Sequence, residues 1–195
     1  MTRTELLNLI ANYIYAETYL EIGVQRGVNF QKVNVKHKTG VDPDTNSAAT
    51  IHKPSDEFFG SLSKTTTFDL IFVDGLHLCE QVIRDVQHSI EHLSPGGVIV
   101  CHDVDPPTKQ AASRTLCSGV WCGDVWKAWL YLRTRLDAEM FCVDTDLGCG
   151  VIIPSGRNNR SDAEPANWEQ FRANRRSLLN LVPTNYAIER FANRE

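Results

Sequence analysis

No apolar run in this sequence is long enough to cross a membrane, and residues 2–15 are amphipathic rather than a charged start followed by an apolar core. Neither a membrane span nor a secretory leader is therefore expected, and the cytoplasm is the expected location. Basic excess is also missing. The net charge is -4 with histidine neutral, which argues against a nucleic-acid footprint. The one basic group, Arg172, Arg175 and Arg176, reads as a solvated helix face. Zinc-type spacing is absent as well, because Cys79, Cys101, Cys117, Cys122, Cys142 and Cys149 are irregularly spaced and too sparse for a disulfide frame. Reduced thiols follow, with Cys101 as a small core residue. There is no internal repeat and no low-complexity tract.

What remains is a chain of 195 residues with 42% hydrophobic content, enough for one domain over 1–195 with a full core. It divides into an amino-terminal helix (1–17), a core (18–154), and a polar linker with carboxy-terminal helices (155–195). The first helix carries Leu6, Leu7, Leu9, Ile10 and Ile14 and is capped by Thr2 or Thr4. It leans either on the sheet or on a second subunit, which leaves a homo-oligomer open.

Two runs organise the rest. Residues 70–73 and 98–101 are continuous apolar stretches, the pattern of strands buried on both faces of a parallel sheet. The first ends in Asp74 with His77 three positions on; the second ends in His102 and Asp103. A carboxylate at the carboxyl end of such a strand faces the crevice where open α/β sheets bind ligands. A single Asp there is commonly a cap or turn residue. Two on successive strands, each beside a histidine, point to a functional site. Between the runs, Leu78, Val82, Val86, Ile90 and Leu93 make an apolar helical stripe, which Ser94-Pro95-Gly96-Gly97 stops.

The same alternation extends outward. A strand over 19–22 leads into the turn Glu21-Ile22-Gly23-Val24-Gln25-Arg26-Gly27 and a brief helix from Val28, with Asn29 in its first turn. A weak strand over 38–41 ends at Asp42, a third is expected at 50–52, and a short helix at 57–62. Residues 104–123 are irregular, a length of loop that is usually a functional lid or partly disordered. Asp124 is expected to cap the next helix. Residues 140–143 and 149–153 are too close to be joined by a crossover, so they should form an antiparallel hairpin at the sheet edge. Residues 155–165 read as a polar linker, Asn167 and Gln170 as a capping box, and residues 186–191 as a last short helix.

This alternation gives a doubly wound α/β sheet, whose first turn is the usual cofactor site. Here the glycines are four apart, not G-x-G-x-x-G, so a nicotinamide dinucleotide is disfavoured, and no Gly-Lys-Ser/Thr follows to make a nucleotide P-loop. Asp42, an acidic strand end, can accept two hydrogen bonds from vicinal ribose hydroxyls.

In order, YLEIGVQRG, GVDP, SDEFF, FDLIFVDGLHLCEQVIRD and LSPGGVIVCHD run from residue 19 to 103, with GDVWKAWLYLR from residue 123. Together they resemble class I S-adenosylmethionine-dependent methyltransferases, in the small branch that includes the macrocin-type sugar O-methyltransferases. The resemblance implies a Rossmann-like, seven-stranded sheet with an antiparallel last strand. It places Glu21, Gly23 and Asn29 around the methionine end of S-adenosylmethionine, with Gly27 closing the same turn and Asp74 bordering it. Asp42 then holds the ribose and Asp56 lies near the adenine amine, although Glu21 can equally be a strand-end charge and Asp56 a helix cap. It also implies a magnesium ion on Asp74 and the His102-Asp103 pair. His102 departs from the family's carboxylate, and imidazole suits softer metals than magnesium. A hard cation there can chelate neighbouring substrate hydroxyls, and His77 is the expected general base, unless its ring only ends the turn. The acceptor implied is a small molecule with a sugar or polyol hydroxyl. The rivals are a metal-independent enzyme using His77, acting on oxygen or nitrogen, and a cofactor-binding module without chemistry.

Overall fold

The structure is a computed structural model that describes residues 1–154 and 167–192; the expected linker over 155–165 lies outside the described residues. The elements in chain order are α1 (Arg3–Ile14), β1 (Thr18–Ile22), α2 (Val28–Lys32), β2 (His37–Val41), α3 (Ser55–Ser61), β3 (Phe68–Val73), α4 (Cys79–Glu91), β4 (Leu93–Cys101), α5 (Val125–Arg135), β5 (Glu139–Val143), β6 (Cys149–Ile153), α6 (Trp168–Leu179), β7 (Leu181–Val182) and α7 (Thr184–Arg190). The strands form one seven-stranded sheet in the order β2-β1-β3-β4-β6-β5-β7. β1 to β4 are mutually parallel, and β6 runs antiparallel to both β4 and β5. The doubly wound class is as expected, with β6 the antiparallel strand.

Period-two alternation explains why both faces are covered. Ile71, Val73, Ile99 and Cys101 point to a core shared with α3, α4, α5 and α6. Leu70, Phe72, Val98 and Val100 point to the opposite core, filled by Leu6, Leu7 and Ile10 of α1, Phe30 of α2 and Phe191 after α7. Strands with no solvent face must be apolar at every position, which is why they read as unbroken runs. α1 lies on the sheet itself. Its start is fixed by a capping box in which Thr2 and Glu5 satisfy each other's backbone amides.

Four expectations are corrected. The strand at 50–52 reduces to an isolated parallel bridge between Val41 and Ile51, where Ile51 exchanges bonds with Gly40 and Asp42 and the pairing goes no further. The hairpin β5–β6 is antiparallel but does not form the edge, since the two-residue β7 pairs outside β5. Asp124 does not cap its own helix. Its carboxylate accepts from the Cys79 amide at 2.8 Å and from Arg114 at 2.9 Å, so it caps α4 across the fold. Ser94-Pro95-Gly96-Gly97 lies inside β4 rather than between elements, where the pairing shifts from Phe68↔Leu93 to Leu70↔Val98. All six cysteines are free thiols, and no helix among the described residues is long and apolar enough to cross a membrane.

Candidate active site

The carboxyl ends of β1, β2, β3 and β4 share one rim, and the turn after β1 shapes it. Gly23 has φ +89, and a Cβ on it would lie 2.0 Å from the carbonyl oxygen of Asp74. Only glycine lets these two strand ends come so close. On one side of this contact a cavity of about 330 Å³ is lined by Gly23, Asp42, Pro54, Asp56, Leu76 and Gln81. On the other side a cavity of about 430 Å³ is lined by Arg3, Thr4, Glu21, Arg26, Asn29 and Asp74. Gly23, Gln25 and Asp74 border both, so the two are halves of one groove over the strand ends.

Strand alternation puts Tyr19 and Glu21 on the same face of β1. The Tyr19 hydroxyl donates to Glu21 Oε2 at 2.5 Å and Asn29 Nδ2 donates to the same oxygen at 2.9 Å. Thr4 on α1 donates to Asn29 Oδ1 at 2.8 Å, tying the first helix to this network. Burial pushes the Glu21 carboxyl up to about 7, against the hydrogen bonds from Tyr19 and Asn29. Gly27 is the αL residue that starts α2, with its amide on the Val24 carbonyl at 2.9 Å. Asp42 closes β2, and its two oxygens accept from the amides of Gln25 and Asp44 at 2.8 and 2.9 Å, leaving further lone pairs toward the cavity. Asp56 is more exposed, in the first turn of α3, and pairs with Arg84 at 3.3 Å, so it borders the cavity from a solvated position.

The other end of the rim is a cluster of charges. Asp74, His102 and Asp103 each turn a ligand atom toward the others, all within 4.8 Å. His102 Nδ1 lies 3.2 Å from Asp74 Oδ1 and 3.3 Å from Asp103 Oδ2. Asp103 adopts φ +59, a left-handed conformation that turns its side chain back to this cluster. His77 Nε2 lies 3.3 Å from Asp103 Oδ2 and 3.6 Å from Asp74 Oδ1, and Nδ1 lies 3.0 Å from the Trp121 carbonyl. Acceptors at both nitrogens favour the doubly protonated ring. Burial opposes this charge, but the hydrogen bond with Asp74 and the charges of Asp103 and Asp74 outweigh it and raise the His77 pKa. His102 is raised further by the same carboxylates, the charge of Asp74 foremost, against its burial. Asp74 is correspondingly held below the usual carboxylate range, because His102, His77 and Arg3 outweigh its desolvation.

The sequence-predicted residues thus fall into two groups, Glu21, Gly23, Gly27, Asn29, Asp42 and Asp56 along the groove, and Asp74, His77, His102 and Asp103 at its end. His77 precedes α4 by two residues and sits in the loop, not in the helix. Three residues were missed. Arg3 places Nη1 2.8 Å from Asp74 Oδ2 and 3.1 Å from His102 Nδ1. Asp146, in the β5–β6 turn, accepts from Arg3 Nε at 3.0 Å and stands 3.7 Å from His102 Nε2. Trp121 stacks on His77 at 5.0 Å between centroids. Only Arg3 had a sequence signal, since a cation in the first turn opposes the helix dipole and needs a local anion. The basic group near the end is not wholly solvated either, because Arg175 clamps Asp105, a residue only 9% exposed.

For a divalent ion, the residues fit in kind. Two carboxylates and one imidazole converge, and the buried His102 Nε2 and Asp103 Oδ1 have no hydrogen-bond partner. The Arg3 guanidinium shares the Asp74 and His102 positions of that donor set.

Residues 20–104 match a family model described as a methyltransferase domain. No curated protein matches the chain. Among solved structures it is similar to the O-methyltransferase of Bacillus cereus in complex with SAH, at 14% identity and TM-score 0.55 over 78% of this chain and 80% of that one. It is similar also to the SAH-bound methyltransferase of Podospora anserina, at 16% identity and TM-score 0.61 over 78% of each chain. A third likeness is to the O-methyltransferase TomG of Streptomyces achromogenes in complex with SAM, at 18% identity and TM-score 0.55 over 77% of this chain and 78% of that one. The residues similar to that methyltransferase domain, 20–104, are the ones that carry Gly23, Asp42, Asp74 and Asp103.

Proposed function

We propose that the protein, acting as a single domain, is an S-adenosylmethionine-dependent O-methyltransferase whose acceptor is a hydroxyl of a small polyol or sugar-bearing metabolite, as in the macrocin-type branch. The observation that carries this is the groove that passes from Asp42 over Gly23 to the Asp74 cluster, with cavities on both sides of the glycine contact. Asp42 is poised to hold the ribose, because its carboxylate is fixed by two backbone amides and keeps lone pairs free for vicinal hydroxyls. Glu21 and Asn29 face the methionine end, and Asp56 with Gln81 borders the adenine end. When bound, S-adenosylmethionine supplies the methyl group, which leaves sulfur as the bond to the acceptor oxygen forms. His77 Nε2 is the site of the proton taken from that oxygen, acting in its neutral form. Trp121 holds the ring in place while Asp74 and Asp103 orient it.

Asp74, His102 and Asp103 are the residues that would hold a divalent ion, magnesium or a softer metal, and the ion would supply Lewis-acid polarisation of the acceptor. One observation favours a second reading, in which the chemistry is metal-independent. Arg3 already presents a cation to Asp74 at 2.8 Å, so the charge balance of the site does not need an ion. The decisive experiment has two parts. Calorimetric titration with S-adenosylmethionine and its demethylated product must show binding, and loss of both would sink the proposal. Turnover is then screened over sugars and glycosides with and without chelator. Methyl transfer to nitrogen only, or cofactor binding with no turnover on any hydroxyl, would reject the O-methyltransferase reading.

A further inference from the structure

The Arg3 side chain creates a conflict that the rest of the site does not resolve. His102 Nδ1 has three polar neighbours: Asp74 Oδ1 at 3.2 Å, Asp103 Oδ2 at 3.3 Å and Arg3 Nη1 at 3.1 Å. The two carboxylates ask for a donor at that nitrogen, and the guanidinium, which only donates, asks for an acceptor. One ring nitrogen cannot be both. A lone pair on Nδ1 leaves two carboxylates facing it without a proton between, whereas a proton there meets an N–H of Arg3. Meanwhile His102 and Asp103, at 4% and 3% exposure, each keep one polar atom without a partner.

Arg3 is anchored firmly enough for this to matter. Its backbone amide and its Nε both reach Asp146 Oδ2, at 3.3 and 3.0 Å. The helix that carries it is started by the Thr2–Glu5 box and packs Leu6, Leu7 and Ile10 into the sheet. The Arg3 side chain is about one-third exposed, so its head group can swing outward on its stem while α1 stays docked.

We propose that Arg3 is the resident cation of this site and that a divalent ion competes with it, so that the ion binds Asp74, His102 and Asp103 only when the Arg3 head group withdraws. An ion taking the Nδ1 lone pair with one oxygen from each carboxylate removes the donor conflict at a stroke. It then leaves Arg3 facing a second positive charge, which favours its release from His102 and weakens its hold on Asp74. The position of the Arg3 head group thereby reports whether the site is loaded. This inference rests on the reading of the triad as the ion site of the proposed methyltransferase.

The test is direct titration of manganese into the full chain and into Arg3→Met, which keeps the stem and removes the charge, and Arg3→Lys, which keeps the charge. Binding is read by calorimetry and by the electron paramagnetic resonance of free manganese. The expected result is at least tenfold tighter binding to Arg3→Met, with Arg3→Lys closer to the unaltered protein. In the unaltered protein, magnesium should also shift the nitrogen-15 resonance of Arg3 Nε, which is bonded to Asp146. Equal or weaker binding by Arg3→Met overturns the proposal, as does ion binding that leaves the Arg3 Nε resonance unmoved, or no binding to any of the three proteins. S-adenosylmethionine affinity measured on the same samples separates the two ideas. Its absence sinks the methyltransferase reading, while the manganese comparison still decides the role of Arg3.

Discussion

The two ends of the groove are assembled in different ways. At the end proposed for the cofactor the partners are close in sequence: Asn29 bonds Glu21 from 8 residues away, and the Gln25 amide bonds Asp42 from 17. At the end proposed for the acceptor Trp121 meets His77 across 44 residues, Arg3 meets His102 across 99, and Arg3 meets Asp146 across 143. A site made from one turn and its flanking strands is held by backbone geometry. A site made from three separate loops and a helix start is held by charge balance, and removing one member leaves others unpaired in low dielectric. The acceptor end should therefore be the more fragile in chemistry and the cofactor end the more fragile in binding.

The sharpest break in that contrast is His77→Ala. As the proton acceptor, its loss should lower kcat by roughly 10²–10⁴-fold while S-adenosylmethionine affinity stays nearly intact. Steady-state kinetics beside calorimetry read both. A fall in melting temperature and cofactor affinity together, with kcat per folded molecule preserved, would make His77 structural and erase the distinction between the two ends.

At the opposite end, Asp42→Ala should weaken cofactor binding by about 1.5–3 kcal/mol, the scale of hydrogen bonds to a charged group. kcat at saturating cofactor should change little. Unchanged affinity would remove Asp42 from the ribose site.

A smaller effect comes from pH. The Glu21 carboxyl titrates at about 7 in the folded protein against an ordinary 4.5, so the fold favours its protonated form. Its contribution to stability is complete below about 4.5 and is lost as pH rises toward 7, at up to about 1.4 kcal/mol per pH unit. A bound sulfonium and ammonium favour the carboxylate, so cofactor affinity should rise with pH and level off above 7. Glu21→Gln should flatten both curves, and a flat affinity profile in the unaltered protein would exclude Glu21 from the cofactor contact.

The smallest effect expected is that of Thr2→Ala, which opens the capping box and should cost about 1 kcal/mol in thermal unfolding. Because that box sets the start of α1, the change should loosen Arg3 and affect the acceptor end more than the cofactor end. An equal change in cofactor affinity and kcat would argue that α1 serves both alike.

Much of the rim was legible. Apolar runs ending in Asp74 and Asp103 mark strand ends because a strand buried on both faces tolerates polar groups only where it leaves the sheet, and Gly23 and Gly27 mark a turn with left-handed residues. Glu21 and Asn29 are brought together in the sequence only by the family resemblance, and the bond between them is tertiary. The bridge at Ile51, the role of Asp124 as the cap of α4 and the pairing of β7 outside β5 were not legible, since each depends on which distant segment arrives beside it. A carboxylate before a helix reads as that helix's cap, yet Asp124 faces the freer amide of Cys79 instead.

By itself the sequence determined the doubly wound sheet, the rim and most of the residues on it, because hydrophobic periodicity and strand-end polarity are local consequences of burial. Tertiary structure alone decided that α1 lies on the sheet, that Arg3 reaches Asp74 and His102, and that Asp146 and Trp121 close around them. Those contacts are set by how two cores on opposite faces fix the directions of distant elements, and no spacing within the chain encodes where a side chain from one element meets a charge on another.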